Sequence, residues 1–321
     1  MSNNPISVVK SGTTSSSLQQ TALEQAFKLV QENMGILDNK SAILNGLINV
    51  SLKDAYWATE SWYTDGTDLK ERVNDGSRIQ LDKRNFYRQQ FGYSSFGKGE
   101  AYTQNDLDRL GNGTDGYRQS FIASIVTGID CAYTRKMESI IMDTIVANTY
   151  DVLAKYDPKN YTKGYILNGA GDFSATPADI SIDCLNRIQY ILSQRRINSM
   201  QNLGIGRKII ICSGNTLNKI LKLDELKNKD YVDNAEQQRY RGLEINYQDM
   251  KIIGMSADID NPLADNVMYG MLDNSIRAYA SVPRIEYGKY EGATDSYEWY
   301  YNRDMGAGIE LASSLIKINI N

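Results

Sequence analysis

A stretch of nearly fifty residues, Thr64 to Leu110, carries turn signals and charges of both signs but little apolar surface, and a helical pattern of about forty residues follows it. This order constrains the fold more than any single motif. Asp65-Gly66 and Asp75-Gly76 flank Leu69 to Val73, and Arg78-Ile79-Gln80-Leu81-Asp82 alternates as a strand does. Along it Arg72, Arg78, Lys83, Arg84 and Arg88 mix with Asp68, Glu71, Asp75 and Asp82. A ribbon of this kind has too little apolar face to be stable alone. It is either a solvated surface hairpin or an arm lying on a neighbouring subunit through paired charges. Phe86, Tyr87, Phe91, Tyr93 and Phe96 would anchor its base.

The helical pattern runs from Tyr117 to Tyr156, with Ile122, Val126, Ile129, Tyr133, Met137, Ile140 and Ile145 at steps close to 3.6. About 40 residues of helix would span roughly 60 Å. Gly128 weakens it locally and is where a kink or break would fall, and Asp157-Pro158 is the expected end. Upstream, Met1 to Gln20 is polar and reads as a flexible arm, and Leu23, Phe27, Val30 and Met34 open a first helix that Gly35 stops. Tyr56, Trp57, Trp62 and Tyr63 are read as core, with a sticky subunit contact as the alternative.

Beyond the long helix the pattern is α+β. Thr176-Pro177-Ala178-Asp179 resembles a helix start, with Ile180, Cys184, Leu185, Ile188, Ile191 and Leu192 facing inward. Ile209 to Cys212 suits a buried central strand, and Ser213 caps a helix through Leu223. Lys222 to Arg241 reads as a charged surface insertion, a solvated helix, with a charged contact between subunits as the alternative. Leu243 to Ile253, Val267 to Leu272, Pro283 to Tyr290, Glu298 to Asn302 and Leu315 to Ile320 are strand candidates, with Gly288, Gly292, Gly306 and Gly308 as turns between them.

The chemistry available is narrow. Histidine is absent, which removes the commonest general base and metal ligand. Cys131, Cys184 and Cys212 are far apart and read as buried, reduced thiols; no C-x-x-C pair indicates zinc or redox work. Asp258, Asp260 and Asp265 lack the spacing of a calcium loop, and Gly204-Ile205-Gly206 precedes its strand where a dinucleotide fingerprint would follow one. Gly111 to Gly116 lacks the lysine of a phosphate loop. No catalytic residue, cofactor or metal site is expected, and an enzyme working through carboxylates is the weaker class. A net charge of −4 argues against neutralising DNA phosphates as the main task. No basic region followed by an apolar run opens the chain, and no apolar stretch approaches the ~20 residues that span a bilayer.

The joint order resembles a tailed-bacteriophage major capsid protein of the Hong Kong 97 type. The polar arm and first helix (1–63) resemble its N-arm, and 64–100 its extended loop. Residues Ala101 to Leu110, followed by the long helix, resemble the approach to its spine helix, within a peripheral domain of 101–175. Residues 176–280 resemble its axial domain. The run Asn302-Arg303-Asp304-Met305-Gly306-Ala307-Gly308-Ile309, then Leu315 to Ile320, resembles its C-terminal strands within 281–321.

The resemblance implies self-assembly into hexamers and pentamers of an icosahedral shell around double-stranded DNA, with Asp68, Glu71, Arg72, Arg78, Asp82, Lys83 and Arg84 on neighbours. It implies portal, scaffold and decoration partners, DNA nearby without sequence-specific binding, no membrane, assembly in host cytoplasm and a final place in the virion. An encapsulin-like compartment of the same fold is the alternative. Family members often carry a removed N-terminal scaffolding segment; here the chain starts almost at the arm, so scaffold is a separate protein or a segment is cleaved or omitted. Lys70 and Lys83 lie where some members crosslink, but nothing selects either, and no crosslink is expected.

Overall fold

The computed structural model describes residues 50–52, 59–64, 86–103, 115–152, 163–194, 196–198, 201–202, 207–223, 244–255, 263–273, 275–281, 284–291, 296–309 and 312–321. Along the chain these form β1 (Val50–Leu52), β2 (Thr59–Thr64), β3 (Phe86–Phe91), β4 (Ser94–Thr103), α1 (Asp115–Val146), β5 (Tyr150–Asp151), β6 (Gly164–Asn168) and α2 (Ile182–Ser193). Next come β7 (Arg196–Asn198), β8 (Gln201–Asn202), β9 (Lys208–Ser213), α3 (Gly214–Leu221), β10 (Glu244–Tyr247), β11 (Met250–Met255) and β12 (Val267–Leu272). The last are β13 (Ile276–Ala280), β14 (Arg284–Glu291), β15 (Ser296–Ile309) and β16 (Ile316–Asn319).

A mixed seven-stranded sheet in the order β10-β11-β9-β12-β16-β6-β5 forms the centre. Along β9 and β12 both faces are covered, so these strands are buried on nearly every residue instead of every second one. β9 shows why. Ile209 and Ile211 join the cluster around α1, while Ile210 and Cys212 join the cluster under α2 and α3. The same alternation divides Tyr269 and Met271 from Met268 and Leu272 on β12. The second sheet has β15 as its long axis. On one side β15 pairs with β4 from Ser296↔Thr103 to Met305↔Ser94; on the other it pairs with β14 and then β13, and β1 lies parallel to β13.

The 32-residue α1 rises about 48 Å. It passes through Gly128 without a break but stops at Val146, ten residues short of the expected Tyr156. The reason is a tertiary cap. Asn148 N–H turns back to the Ile145 carbonyl at 3.3 Å, and the Tyr150 hydroxyl donates to that same carbonyl at 2.7 Å. Tyr150 itself belongs to β5, where it pairs with Gly164. Ladder and cap together outweigh one further turn of helix.

Other expectations are corrected in the same way. The helix expected from Thr176 begins at Ile182, with Ser181 as its cap and the Cys184 N–H as donor at 3.3 Å. Ala178 is instead held extended, bridged to Ile320, and its carbonyl accepts from Asn321 N–H at 3.1 Å. Ser213 does cap α3, accepting from Thr216 N–H at 3.2 Å. The single strand expected over Leu243 to Ile253 is a hairpin, β10-β11, turning on Gln248 (φ 52°) and Asp249. Gly306 and Gly308 are not turns. Both lie inside β15, and a Cβ on Gly306 would sit 2.3 Å from the Gly92 carbonyl oxygen. Gly288 lies within β14, between Tyr287 and Tyr290, where the register shifts. Residues 1–49, 104–114, 224–243 and 256–262 fall outside the described residues, as do Gly292, Gly204 to Gly206 and the expected helices of the arm.

Cys184 and Cys212 are buried and free, but Cys131 is exposed on α1. Burial pushes both buried thiols from 9.0 up to about 12, raises the Tyr133 phenol from 10.0 to about 12, and raises Tyr150 and Tyr269 as well. All five groups hold their protons more tightly folded than unfolded. Their contribution to stability is therefore complete below pH 9 and is lost as pH climbs towards 12, where the unfolded chain releases protons that the folded one keeps. Melting temperature should be level from pH 7 to 8 and fall steadily above pH 9. A melting point unchanged between pH 8 and 11 would contradict this burial.

Candidate assembly surface

Three pieces build the surface that could meet other subunits: the β2-β3 ribbon, the sheet on which its base rests, and α1 beneath that sheet. β2 and β3 pair antiparallel from Thr59↔Phe91 to Thr64↔Phe86. Thr64 and Phe86 thus stand side by side at one end of a two-stranded ladder, and at the other end Gly92 and Tyr93 lead from β3 into β4. Asp68, Glu71, Arg72, Arg78, Asp82, Lys83 and Arg84 all lie in 65–85, outside the described residues. Trp62 and Tyr63 belong to β2, while Tyr56 and Trp57 lie outside.

The base of the ribbon is held firmly. Gly92 packs its carbonyl against Gly306 of β15, and the Tyr93 ring meets Tyr279 edge-on at 6.0 Å between centroids. Phe96 is half-buried against the α1 cluster, with the Lys136 ammonium 5.0 Å above its ring. The expected loop of Thr64 to Leu110 is thus corrected over Ser94 to Thr103. Those ten residues are β4, an integral strand along β15 and not a projection. Its alternation was hidden by Gly97 and Gly99; at Gly97 a Cβ would crowd the Asn302 amide oxygen, which would have to turn aside.

Ile129, Tyr133 and Met137 are buried on α1, and Ile140 is half-buried against the same cluster. Ile122 and Val126 lie on α1, with side chains outside the described set. Ile145, the last residue of the expected stripe, is buried too, and Ile141 and Met142, which the pattern did not include, are buried beside it. The Tyr133 hydroxyl donates to the Tyr301 carbonyl at 2.7 Å, stapling the helix to β15. Burial dominates the rise of the Tyr133 pKa, and the nearby Arg303 guanidinium opposes it. The opposite face of α1 carries exposed Ser124, Gly128, Cys131, Ala132, Arg135 and Lys136.

Sequence reasoning missed a polar cluster at the junction of β13, β14 and β15. Arg303 is fully buried and Asp304 nearly so. Arg303 Nε donates to the Ser281 carbonyl at 2.9 Å, Asp304 N–H to Ser281 Oγ at 2.9 Å, and Arg284 Nη2 to Asp304 Oδ2 at 2.9 Å. The only hint in the chain was an Arg-Asp pair between apolar residues of a strand. Among the described residues, no group of three or more Cys, Asp and Glu side chains could hold a metal ion, and no helix is long and apolar enough to cross a membrane.

No protein-family model and no curated protein sequence matches this chain. Solved structures do. The chain is similar to the capsid of an empty GTA particle, with a TM-score of 0.60 at 11% identity over 87% of this chain and 89% of the other. It is similar to the capsid of a native GTA particle, at 0.58 and 9% over 99% and 95%. It is also similar to the capsid of cyanophage P-SCSP1u, at 0.55 and 9% over 88% and 89%. Coverage this complete at so little identity is a likeness of architecture. A ribbon seated on a long-stranded sheet, a rod-like helix beneath it and a covered α/β sheet beyond make up the capsid fold of the Hong Kong 97 type.

Proposed function

We propose that this chain is the structural subunit of an icosahedral head shell enclosing double-stranded DNA, working by self-association into hexamers and pentamers. The observation that carries the reading is the near-complete match to capsid shells, by a fold whose ribbon and long helix serve contact between copies better than catalysis. In this reading 1–63 is the arm; of the expected loop 64–100, 64–93 is the extended loop and β4 its seat on β15; 101–175 is the peripheral part with its spine helix, 176–280 the axial part, and 281–321 the strands that return through both. Asp68, Glu71, Arg72, Arg78, Asp82, Lys83 and Arg84 meet a neighbouring subunit through paired charges. Ile122, Val126, Ile129, Tyr133, Met137 and Ile140 hold the spine helix to its own core. Portal, scaffold and decoration proteins are its partners, DNA lies against it without sequence-specific contacts, and assembly takes place in host cytoplasm before the protein ends in the virion. No observation favours the encapsulin-like alternative or a carboxylate enzyme.

Deleting Asp68 to Arg84 tests the reading. The wild-type protein, concentrated with or without a scaffolding partner, is expected to give closed particles by electron microscopy. The deletion variant should keep its circular dichroism spectrum and form none. Normal particles from the variant would reduce the ribbon to a surface hairpin, and a wild type that stays monomeric throughout would overturn the shell reading itself.

A further inference from the structure

Nothing local ends α1. The residues after Val146, Ala147-Asn148-Thr149-Tyr150-Asp151-Val152, include no glycine and no proline. Among the described residues Gln248 is the only non-glycine with a positive φ, so no left-handed residue caps the helix. Its last turn carries no cation and does carry Asp143, the wrong charge for a helix C-terminus. The stop is imposed from further along the chain, by the Tyr150 hydroxyl on the Ile145 carbonyl and by the pairing of β5 with β6.

That pairing is slight. It joins two residue pairs at the edge of the central sheet, and the ion pair beside it, Lys163–Asp151 at 2.7 Å, is exposed on both sides and adds little. What seats β5 is the Tyr150 side chain. Its ring packs on the α1 cluster, lies 6.0 Å from the Tyr269 ring, and fills a slot that Gly164 leaves open, where a Cβ would come within 2.5 Å of it. The same six residues also suit a helix. Val152 falls about two turns past Ile145, on the line of the buried stripe, and Tyr150 falls about one turn past Val146 and would lie over it. In the strand form Val146 and Val152 are 40% and 47% exposed, two of the four large apolar side chains left so among the described residues.

We infer that residues 147–152 are a two-state joint between the long helix and the central sheet. They are docked as β5 while Tyr150 fills its slot, and they continue α1 by up to six residues, about 9 Å, once that side chain is drawn out. Tyr150 is the toggle because it acts on both elements, ending the helix through its hydroxyl and seating the strand through its ring. Residues 153–163 separate the joint from β6, a length of chain that reaches about 36 Å when extended and so can follow either form. The inference does not depend on the chain building a shell.

Hydrogen exchange on the full-length protein tests it, followed over 147–152 in Tyr150→Ala and Tyr150→Pro. Both substitutions empty the slot, but only alanine can continue a helix. The amides of 149–152 should exchange about tenfold more slowly in Tyr150→Ala than in Tyr150→Pro, while 133–145 agree between the two to within about twofold. Should the proline variant alone fail to fold, Tyr150→Gly takes its place, with an expected difference of about fivefold. Equal exchange in the compared pair would overturn the joint, since the segment would then either fray in both or stay docked in both without its tyrosine. Loss of the fold in Tyr150→Ala would overturn it as well, because Tyr150 would then be holding the core and not toggling its edge.

Discussion

Ile129→Asp and Met137→Asp are each expected to unfold the subunit, while Arg135→Ala should shift its stability by no more than about 0.5 kcal/mol. Ile129 and Met137 are both fully buried, two turns apart on either side of Tyr133, and Arg135 is exposed on the same helix. Each apolar side chain contributes roughly 2 kcal/mol by leaving water. A carboxylate in its place loses that term and adds the penalty of burying an ion, several kcal/mol more. The sum rivals the whole margin of about 5–15 kcal/mol that holds a domain folded. Circular dichroism melts of the three variants decide the matter. Wild-type melting of either aspartate variant would mean that the stripe does not face a core.

The second large effect is an asymmetry. Asp249→Ala should destabilise by about 2–3 kcal/mol, and Lys208→Met by much less. Lys208 opens β9 with its side chain only 5% exposed, and its ammonium is paired to Asp249 in the β10-β11 turn. Asp249 also accepts from Gln189 Nε2 of α2 at 2.8 Å, so one carboxylate ties the hairpin to both the central strand and the helix above it. Burial works to raise the Asp249 pKa, but the bond and charge of Lys208, with the bond from Gln189, together hold it below 3.8. Removing the carboxylate leaves a buried ammonium with no other counterion beside it among the described residues; removing the ammonium leaves a carboxylate that is more than half exposed and can turn to water. Urea titrations rank the two variants, and Lys208→Met proving the more damaging would contradict the argument.

The α/β centre was legible from sequence because local signals and tertiary demands agree there. Ile209 to Cys212 is apolar throughout because both faces of the sheet are covered, and Ser213 caps the next helix without competition. Misreadings fall where a distant partner decides. Thr176-Pro177 carries every local mark of a helix start, yet Ile320 and Asn321 claim the following backbone. Gly306 looks like a turn from its neighbours alone; its reason for being glycine is Gly92, more than two hundred residues away. The β10-β11 turn escaped notice because Gln248-Asp249 is not among the dipeptides that favour φ > 0. Of the candidate surface, the buried stripe on α1 was legible from its period, whereas the Arg303–Asp304 junction was not, since two adjacent charges in a strand look like solvent-facing residues until both sides are covered.

The position of β16 has a consequence for the order of events in folding. It lies between β12 and β6, and β6 reaches the central sheet only through it. Among the described residues, β5 and β6 therefore meet the sheet only when a strand roughly 150 residues further along has arrived, and closing so long a loop carries its entropic cost before any contact returns it. β4 must wait longer still for β15, and β1 for β13. The β9 to β12 region, with α3 and the β10-β11 hairpin, can form from near neighbours, as can the β13-β14-β15 meander and the β2-β3 ladder, but α1 and the ribbon base have their seats only once that meander is in place. The nascent chain thus acquires its middle first and its long helix and ribbon base last. Acquisition should be slow, as it is for sheets built from distant strands. A ribbon whose seat appears only at the final step cannot engage a neighbour from a half-made subunit, so folding itself sets the earliest moment at which copies can join.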